Sequence, residues 1–231
     1  NFWGPTGSEG PCGPTTEIYV NGIEIWNVVF NEYFKNKDGQ FTKLEQTGID
    51  TGMGLERLVM VMQKVETVFE TDLFKSLIEI ANSRVVVDHI RTSVFMISDG
   101  VTSSNTDRGY ILRRLLRRAY VHGRKIGAET EVLNAVIDAV INHQSYRGLY
   151  TFLPETRAII MQEIEKFKKA LDAGLKQVEK GEDPFVLFTS YGLPLEIIKE
   201  VLPSMDEEKF KKQMEEHKRL STEAGEKKYS K

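Results

Sequence analysis

The spacing of apolar residues predicts strands in the first fifty residues of this chain. Gly and Pro cluster between positions 4 and 14, as they do in turns. Thr15–Val20 and Ile23–Phe30 are then rich in β-branched and aromatic residues, and Asn36–Gly39 has the composition of a hairpin turn before Phe41–Leu44. These segments predict a meander of antiparallel strands.

After Ile49 the apolar residues adopt the spacing of helices. Leu55, Leu58, Val59 and Met62 lie at i, i+3, i+4 and i+7, which is typical of an amphipathic helix. Similar patterns, or a proline that begins a helix, predict helices over Val85–Ser98, Arg108–Lys125, Glu155–Lys180 and the residues after Pro194. A short strand is predicted at Phe185–Phe188, and a solvated helix that frays into a charged tail at Met205–Lys231.

The composition is that of an ordinary globular protein. The chain has 231 residues, 40% apolar and 28% charged, and its 31 basic and 34 acidic side chains give a net charge of −3. Cys12 is the only cysteine, which excludes an intrachain disulfide and a cysteine-ligated zinc site and fits a reducing compartment. No apolar run reaches the roughly 18 residues of a membrane helix. We therefore expect a cytoplasmic protein with no membrane partner.

The first candidate for chemistry is the segment Asp50–Arg57. It contains two glycines, Gly52 and Gly54, between a strand end and a helix start, with Arg57 in the first turn of that helix. Glycines allow a ligand to lie against the backbone, and an arginine can bind phosphate oxygens with two N–H groups. The alternative is a helix-entry turn with a solvated Arg57 and Asp50 as a turn residue, and spacing alone favours it.

The second candidate combines Trp3 with the strand residues Trp26–Val29. Core packing is the simpler explanation for Trp26, Val28 and Val29. Asn27 is different, because an amide inside an apolar strand needs hydrogen-bond partners, which a ligand or the fold could supply.

The third candidate is the basic helix. Arg113, Arg114, Arg117 and Arg118 share one side of a helical wheel, and Leu112, Leu115, Leu116 and Ala119 fall on the other. A nucleic-acid backbone would complement the arginines, and pairing with acids of neighbouring elements is the alternative. We favour nucleic acid, because no acid from Arg108 to Lys125 neutralises the helix. Asn105, just before the helix, is by default its cap.

Other catalytic classes lack their signatures. No two of the four histidines have the i, i+4 spacing of a helical metal site, so we predict no protein-bound metal. The Gly-x-Ser-x-Gly motif of serine hydrolases does not occur in the chain.

Several blocks, in this order, resemble the alanyl-tRNA synthetase family. They are Asn1–Trp3, Gly10–Pro14, Glu24–Phe30, Ile49–Arg57, Ile97–Gly100, Ser104–Asn105 and Arg108–Arg114. The resemblance extends over nearly the whole chain. It implies an α+β fold, in which part of a class II synthetase antiparallel sheet with flanking helices is followed by a mainly helical tRNA-recognition domain. The implied divisions are 1–80, the C-terminal half of the aminoacylation domain, 81–203, the helical domain, and 204–231, a charged helix or linker.

The resemblance also implies roles for individual residues. Arg57 would hold the γ-phosphate of ATP, beside Gly52 and Gly54, and Mg²⁺ would accompany ATP as its counter-ion. Asp50 would bind the ammonium of alanine, and Trp3, Asn27, Val29 and Gly52 would complete the amino-acid pocket. Asn105 would read the G·U pair in the acceptor stem of tRNA(Ala). An acidic partner of Asn105 is expected from the later long helix, where Asp172 and Glu179 are both possible.

Arginines of the basic helix and its start would add contacts to tRNA; these are Arg108, Arg113, Arg114, Arg117 and Arg118.

Two departures from the family leave three hypotheses. The first two class II motifs and the editing domain are not among these 231 residues, so we expect the chain alone to be incomplete for catalysis. The chain is then part of an alanine–tRNA ligase, as a fragment or a split subunit whose partner carries the missing motifs. Alternatively, it is a non-catalytic module that binds the acceptor stem, or a degenerate synthetase paralogue.

Overall fold

The computed structural model describes residues 1–5, 7–127, 130–148 and 150–229. The chain divides into two compact units, residues 1–76 and 77–231. The three-part division predicted from the sequence, with boundaries after residues 80 and 203, stays a prediction. Residues 230 and 231 of the predicted tail lie outside the described residues.

The first unit is built on a four-stranded antiparallel sheet. Its strands are β1 (Phe2–Trp3), β2 (Gly10–Val20), β3 (Ile23–Lys35) and β4 (Phe41–Met53), hydrogen-bonded in chain order. Helix α1 (Leu55–Gln63) follows β4, and α2 (Lys75–Ala81) contains the point at which the units divide. The predicted meander is confirmed.

The β3–β4 hairpin forms at the predicted turn. The side chain of Asn36 accepts a hydrogen bond from the backbone N–H of Gln40, and Gly39 adopts a φ of 81°, which glycine reaches without steric cost. β4 is longer than the sequence pattern indicated, and most of its residues are exposed. In the sheet, Cys12 and Val29 are the buried apolar side chains.

The second unit is helical. Its helices are α3 (Arg84–Ser98), α4 (Asp107–Lys125), α5 (Thr130–Ile141), α6 (Thr156–Val178), α7 (Pro184–Thr189), α8 (Leu195–Val201) and α9 (Glu207–Tyr229). The core contains fully buried side chains from α3 to α6, among them Ile90, Leu116, Ile137 and Ile160. The predicted helices over 85–98, 108–125, 155–180 and after Pro194 are therefore confirmed, as is the antiparallel sheet with flanking helices.

The predicted strand at Phe185–Phe188 is wrong, because these residues belong to α7. Asp183 caps this helix by accepting a hydrogen bond from the backbone N–H of Phe185 at 2.8 Å, and Pro184 occupies the first turn. A capping aspartate followed by proline is a helix-start signal, since proline has no N–H to lose at that position.

The C-terminal residues form the long helix α9, as the charged pattern predicted. Phe210 is buried near its start and packs against Phe185 and Phe188 of α7. Within the described part of the chain, no helix is both long and apolar enough to cross a bilayer.

Candidate functional site

The register of the sheet brings together the residues that the sequence predicted for an amino-acid pocket. Asn27 of β3 lies directly opposite Gly52 of β4, and Val29 lies opposite Asp50. Directly paired residues project to the same side of a sheet, as do residues two apart on one strand. These four residues therefore form a continuous patch on one face, which we call the β3–β4 patch.

Strand β2 extends this patch by two polar residues. Glu17 pairs with Asn27, and Thr15 pairs with Val29. The Asn27 side chain donates a hydrogen bond to the Thr15 hydroxyl at 3.2 Å. The fold thus supplies one of the hydrogen-bond partners that the Asn27 amide needs, and the neighbouring strand fixes its orientation.

Trp26 and Thr51 lie on the opposite face of the same two strands and fix them to each other. The indole N–H of Trp26 donates to the Thr51 hydroxyl at 2.6 Å, and that hydroxyl donates to the backbone carbonyl of Asn27 at 2.9 Å. Trp26 is therefore a structural residue of the sheet. Trp3 is in β1, paired with Gly13, and half-buried.

Asp50 and Gly52 are both exposed. A Cβ placed on Gly52 would meet nothing within 4 Å, so the backbone on this face is open to a ligand. Asp50 supplies a carboxylate beside it, two residues away on the same strand.

Arg57 lies in the first turn of α1, close to the start of β3. Its Nη1 donates to the backbone carbonyl of Glu24 at 3.0 Å and lies 3.7 Å from the Glu24 carboxylate. The β-carbon that Gly54 lacks would lie 3.6 Å from the Arg57 side chain. Arg57 is about half exposed, and its two contacts to Glu24 involve one nitrogen of a group with five N–H donors.

Glu17 and Glu24 were not singled out from the sequence. The Glu17 carboxylate accepts hydrogen bonds from the Tyr19 hydroxyl at 2.8 Å and from the Asn1 amide at 3.3 Å. The hydrogen bond to Glu17 raises the pKa of the exposed Tyr19 hydroxyl. The alternation of β2 places Glu17 and Thr15 on one face, but only the register with β3 shows which face that is.

A second candidate site lies at the start of α4. The predicted cap role of Asn105 is wrong, since Thr106 is the N-cap and makes no side-chain capping hydrogen bond. Asn105 is exposed, and its side-chain oxygen accepts a short hydrogen bond from Nη1 of Arg113, two turns along the helix.

The arginines of α4 do not form one solvent-facing surface. Nε of Arg113 donates to the Glu163 carboxylate of α6 at 3.0 Å, and Nη2 of Arg117 lies 4.0 Å from the same oxygen. Glu163 is only 8% exposed. Arg117 also lies over the Phe167 ring and donates to the backbone carbonyl of Gly192 at 3.1 Å. Burial lowers the pKa of Arg117, against the opposing effect of Glu163.

Arg108 and Arg114 are exposed, and Arg118 is half-buried. Of the four residues that the helical wheel placed on the other side, Leu112, Leu116 and Ala119 are fully buried and anchor the helix to its unit, whereas Leu115 is half-buried. Of the five arginines for which tRNA contacts were predicted, two are therefore exposed, Arg108 and Arg114.

Neither acid proposed as the partner of Asn105 has a contact with it here. Asp172 pairs with Arg124 at 3.6 Å, and Glu179 caps the exposed end of α6. The acid of α6 that is joined to Asn105, through Arg113, is Glu163. Glu163 was not predicted from the sequence; it lies on the buried side of α6, beside Ile164 and Phe167.

The described residues contain no group of three His, Cys, Asp or Glu side chains that could hold a metal ion. A metal at the first site would therefore need most of its ligands from a bound substrate and water. Mg²⁺ is commonly bound in this way, with one or two carboxylates and substrate phosphates.

Comparison with known proteins connects both sites to one family. Residues 21–231 match the family of class II (A) tRNA synthetases. The chain is 38% identical to an alanine–tRNA ligase of Carboxydothermus hydrogenoformans, over 98% of the chain and 32% of that protein. It is 36% identical to the alanine–tRNA ligase of Clostridioides difficile and 38% identical to alanine–tRNA ligase 1 of Lachnoclostridium phytofermentans, over 94% and 93% of the chain.

These similarities cover a limited part of the relatives. The chain spans about a third of the length of the curated alanine–tRNA ligases that it matches. The matched region nevertheless includes α4 and all four residues of the β3–β4 patch. The chain belongs to the family of class II (A) tRNA synthetases.

Proposed function

We propose that this chain is part of an alanine–tRNA ligase, which activates alanine with ATP and transfers it to tRNA(Ala). The observation that carries the proposal is the register of β3 and β4, which pairs Asn27 with Gly52 and Val29 with Asp50. Four residues expected to bind alanine are thereby neighbours on one face. The relatives named as alanine–tRNA ligases support the same amino acid.

The β3–β4 patch suits a small amino acid. The exposed Asp50 carboxylate complements an ammonium. We assign Val29, the apolar residue beside it, to the same pocket, where its largely buried side chain would limit the space beside the substrate methyl group. Asn27, held by Thr15, adds a fixed amide. We assign Trp3 to the wall of the same pocket, together with Gly52.

The residues after the patch suit ATP. Gly52 leaves the backbone open, Gly54 stands against the Arg57 side chain, and Arg57 carries N–H groups beyond the one bonded to Glu24. We propose that Arg57 binds the γ-phosphate and that Mg²⁺ accompanies ATP as its counter-ion, held by phosphate oxygens and water. Catalysis then consists of positioning the alanine carboxylate and stabilising charge at the α-phosphate.

The start of α4 suits the tRNA acceptor stem. Asn105 is exposed and would read the G·U pair in the shallow minor groove of A-form RNA. Arg108 and Arg114 are exposed on the same helix and would contact phosphates. We propose that the first two class II motifs come from a segment outside these residues, in the same polypeptide or in a second chain.

The experiment uses the native protein purified from its source, after its intact mass and any accompanying chain have been determined. We expect alanine-dependent ATP–pyrophosphate exchange by the native protein and none at a useful rate by residues 1–231 alone. Asp50→Asn should abolish most of the exchange, because it removes the charge that binds the ammonium. Glu45→Gln is the control, since Glu45 is an exposed acid on the same strand, outside the patch.

The outcomes separate the alternatives. A native protein without alanine-dependent exchange that still binds acceptor-stem RNA would replace this proposal with a non-catalytic RNA-binding module. Exchange that survives Asp50→Asn unchanged would refute the assignment of the alanine pocket. Robust exchange by residues 1–231 alone would show that no further motif is needed.

A further inference from the structure

We propose that Arg113 and Glu163 are positioning residues for Asn105. Arg113 bridges the two side chains, donating from Nη1 to the Asn105 amide oxygen and from Nε to the Glu163 carboxylate at 3.0 Å. This inference rests on the proposed role of Asn105 in reading RNA. It changes the part assigned to Arg113, from a contact to phosphate to a support for the residue that reads the base pair.

Burial of Glu163 makes this bridge a defined structure. A carboxylate that is 8% exposed needs partners for its charge, and Arg113 and Arg117 of the facing helix supply them. Arg113 is itself only about a quarter exposed. The planar guanidinium is therefore held at Nε by a buried acid, which fixes the position of Nη1 beside Asn105.

The bridge also determines which atoms of Asn105 face a ligand. A guanidinium has only hydrogen-bond donors, so the atom of the Asn105 amide that bonds to Arg113 must be the oxygen. The NH2 group then points away from Arg113. Asn105 therefore presents hydrogen-bond donors to its ligand, and the matching group in an RNA minor groove is an acceptor: a pyrimidine O2, a purine N3 or a ribose oxygen.

Two features exclude a purely electrostatic explanation of the contacts that Arg113 makes with Asn105 and Glu163. Asn105 carries no charge, so charge neutralisation does not account for its contact with Arg113. Arg117 already gives Glu163 a second cation and has its own structural contacts to Phe167 and Gly192. The Arg113–Asn105 bond is therefore additional to what is needed to neutralise the buried acid.

The first measurement detects positioning without RNA. In ¹⁵N relaxation spectra of the chain, the Asn105 side-chain amide, assigned by its loss in Asn105→Ala, should be ordered. Arg113→Lys keeps the charge but cannot span both partners, and Glu163→Gln keeps the shape but removes the charge that holds Arg113. Both should lower the order of that amide. Glu165→Gln, at an exposed acid on the same helix as Glu163, is the control and should not.

The second measurement detects the consequence for recognition. Binding is measured by fluorescence anisotropy to two acceptor-stem hairpins of tRNA(Ala) that differ only in a G·U or a G·C pair. We expect Arg113→Lys and Glu163→Gln to lower the G·U preference by about three- to tenfold, the value of one hydrogen bond, with G·C affinity nearly unchanged. Asn105→Asp should lose the preference too, because it keeps an oxygen on Arg113 but replaces the donor with an acceptor.

The results distinguish this inference from the proposed function. Unchanged amide order and unchanged G·U preference in both variants would overturn the positioning role, as would a G·U preference that survives Asn105→Asp. A wild-type chain that binds both hairpins alike, or neither, would refute G·U reading, and the amide order would then decide the positioning role separately. Thermal melting of each variant confirms that it is folded.

Discussion

Gly174→Ala tests how tightly the turn after α7 is packed on α6. A Cβ at Gly174 would lie 2.0 Å from Cδ1 of Leu193 and 3.2 Å from its Cδ2 and Cγ, whereas ordinary contacts begin near 3.4 Å. Leu193 is fully buried, so its side chain has no solvent into which it can move. The substitution must therefore displace the turn that contains Gly192 and Leu193.

Two opposing effects set the magnitude. Replacing glycine by alanine inside a helix is worth about 1 kcal/mol in favour of folding. Forcing an extra methyl group into a packed core costs about 1 to 3 kcal/mol. We expect the overlap to dominate, with a net loss of about 1 kcal/mol in the free energy of unfolding and a fall in Tm of about 2 to 4 °C for a unit of this size.

The assay is urea unfolding followed by circular dichroism at 222 nm, which reports chiefly the helical unit. The control background is Leu193→Ala, which destabilises the chain but removes all three atoms that the new Cβ would meet. In that background Gly174→Ala should instead raise the free energy of unfolding by about 1 kcal/mol, because only the higher helix propensity of alanine over glycine remains. If Gly174→Ala stabilises the wild-type chain, or lowers the free energy of unfolding equally in both backgrounds, the expected overlap with Leu193 is refuted.

Three further substitutions test single residues of the helical unit. Gly109→Ala would place a Cβ 2.3 Å from the Thr102 carbonyl oxygen, so the loop before α4 must move. We therefore expect a lower Tm, together with a weaker preference for the G·U hairpin in binding. Burial and a hydrogen bond to Asp99 raise the pKa of Tyr150 to about 12, above its ordinary value of 10. The neutral phenol therefore stabilises the fold below pH 10, and this contribution is lost as the pH rises towards 12. The Tm of Tyr150→Phe should fall less steeply between pH 9 and pH 12 than the Tm of the wild type. Equal slopes would contradict the assignment of the raised pKa to Tyr150. Arg114→Ala should weaken G·U and G·C hairpins alike and lower the slope of log K against log salt by about 1, and a selective loss on one hairpin would contradict a phosphate contact.

The strands and long helices could be predicted because their signals are local. The turn at Asn36–Gly39 contains both its side-chain acceptor and its glycine, and α4 and α6 have apolar stripes several turns long. The short apolar run Phe185–Phe188 was ambiguous, because a run of this length does not distinguish a strand from a helix. The preceding Asp183 and Pro184 contained the deciding signal.

The candidate pocket could be predicted residue by residue but not as a surface. Asp50, Gly52, Asn27 and Val29 were each named from the sequence. Their arrangement depends on the register of β3 and β4, and that register shifts near Asn31. A shift of one residue in the pairing of two strands exchanges the faces on which their residues lie. The polar residues that β2 adds to the patch could be found only once the pairing was known.

The basic helix shows why charge patterns along the chain can mislead. No acid lies between Arg108 and Lys125 in sequence, yet Glu163, fifty residues after Arg113, approaches both Arg113 and Arg117 in the fold. A helical wheel includes the charges of its own helix and none of those on the helix against which it packs. Arg113 and Arg117 therefore lie at the boundary between the exposed and buried sides, where a cation can reach an acid of α6. Arg108 and Arg114 are exposed, and they are the pair to which we assign the proposed contacts with a phosphate backbone. Substitutions at the two pairs should accordingly differ in kind, with Arg114 affecting the strength of RNA binding and Arg113 its selectivity.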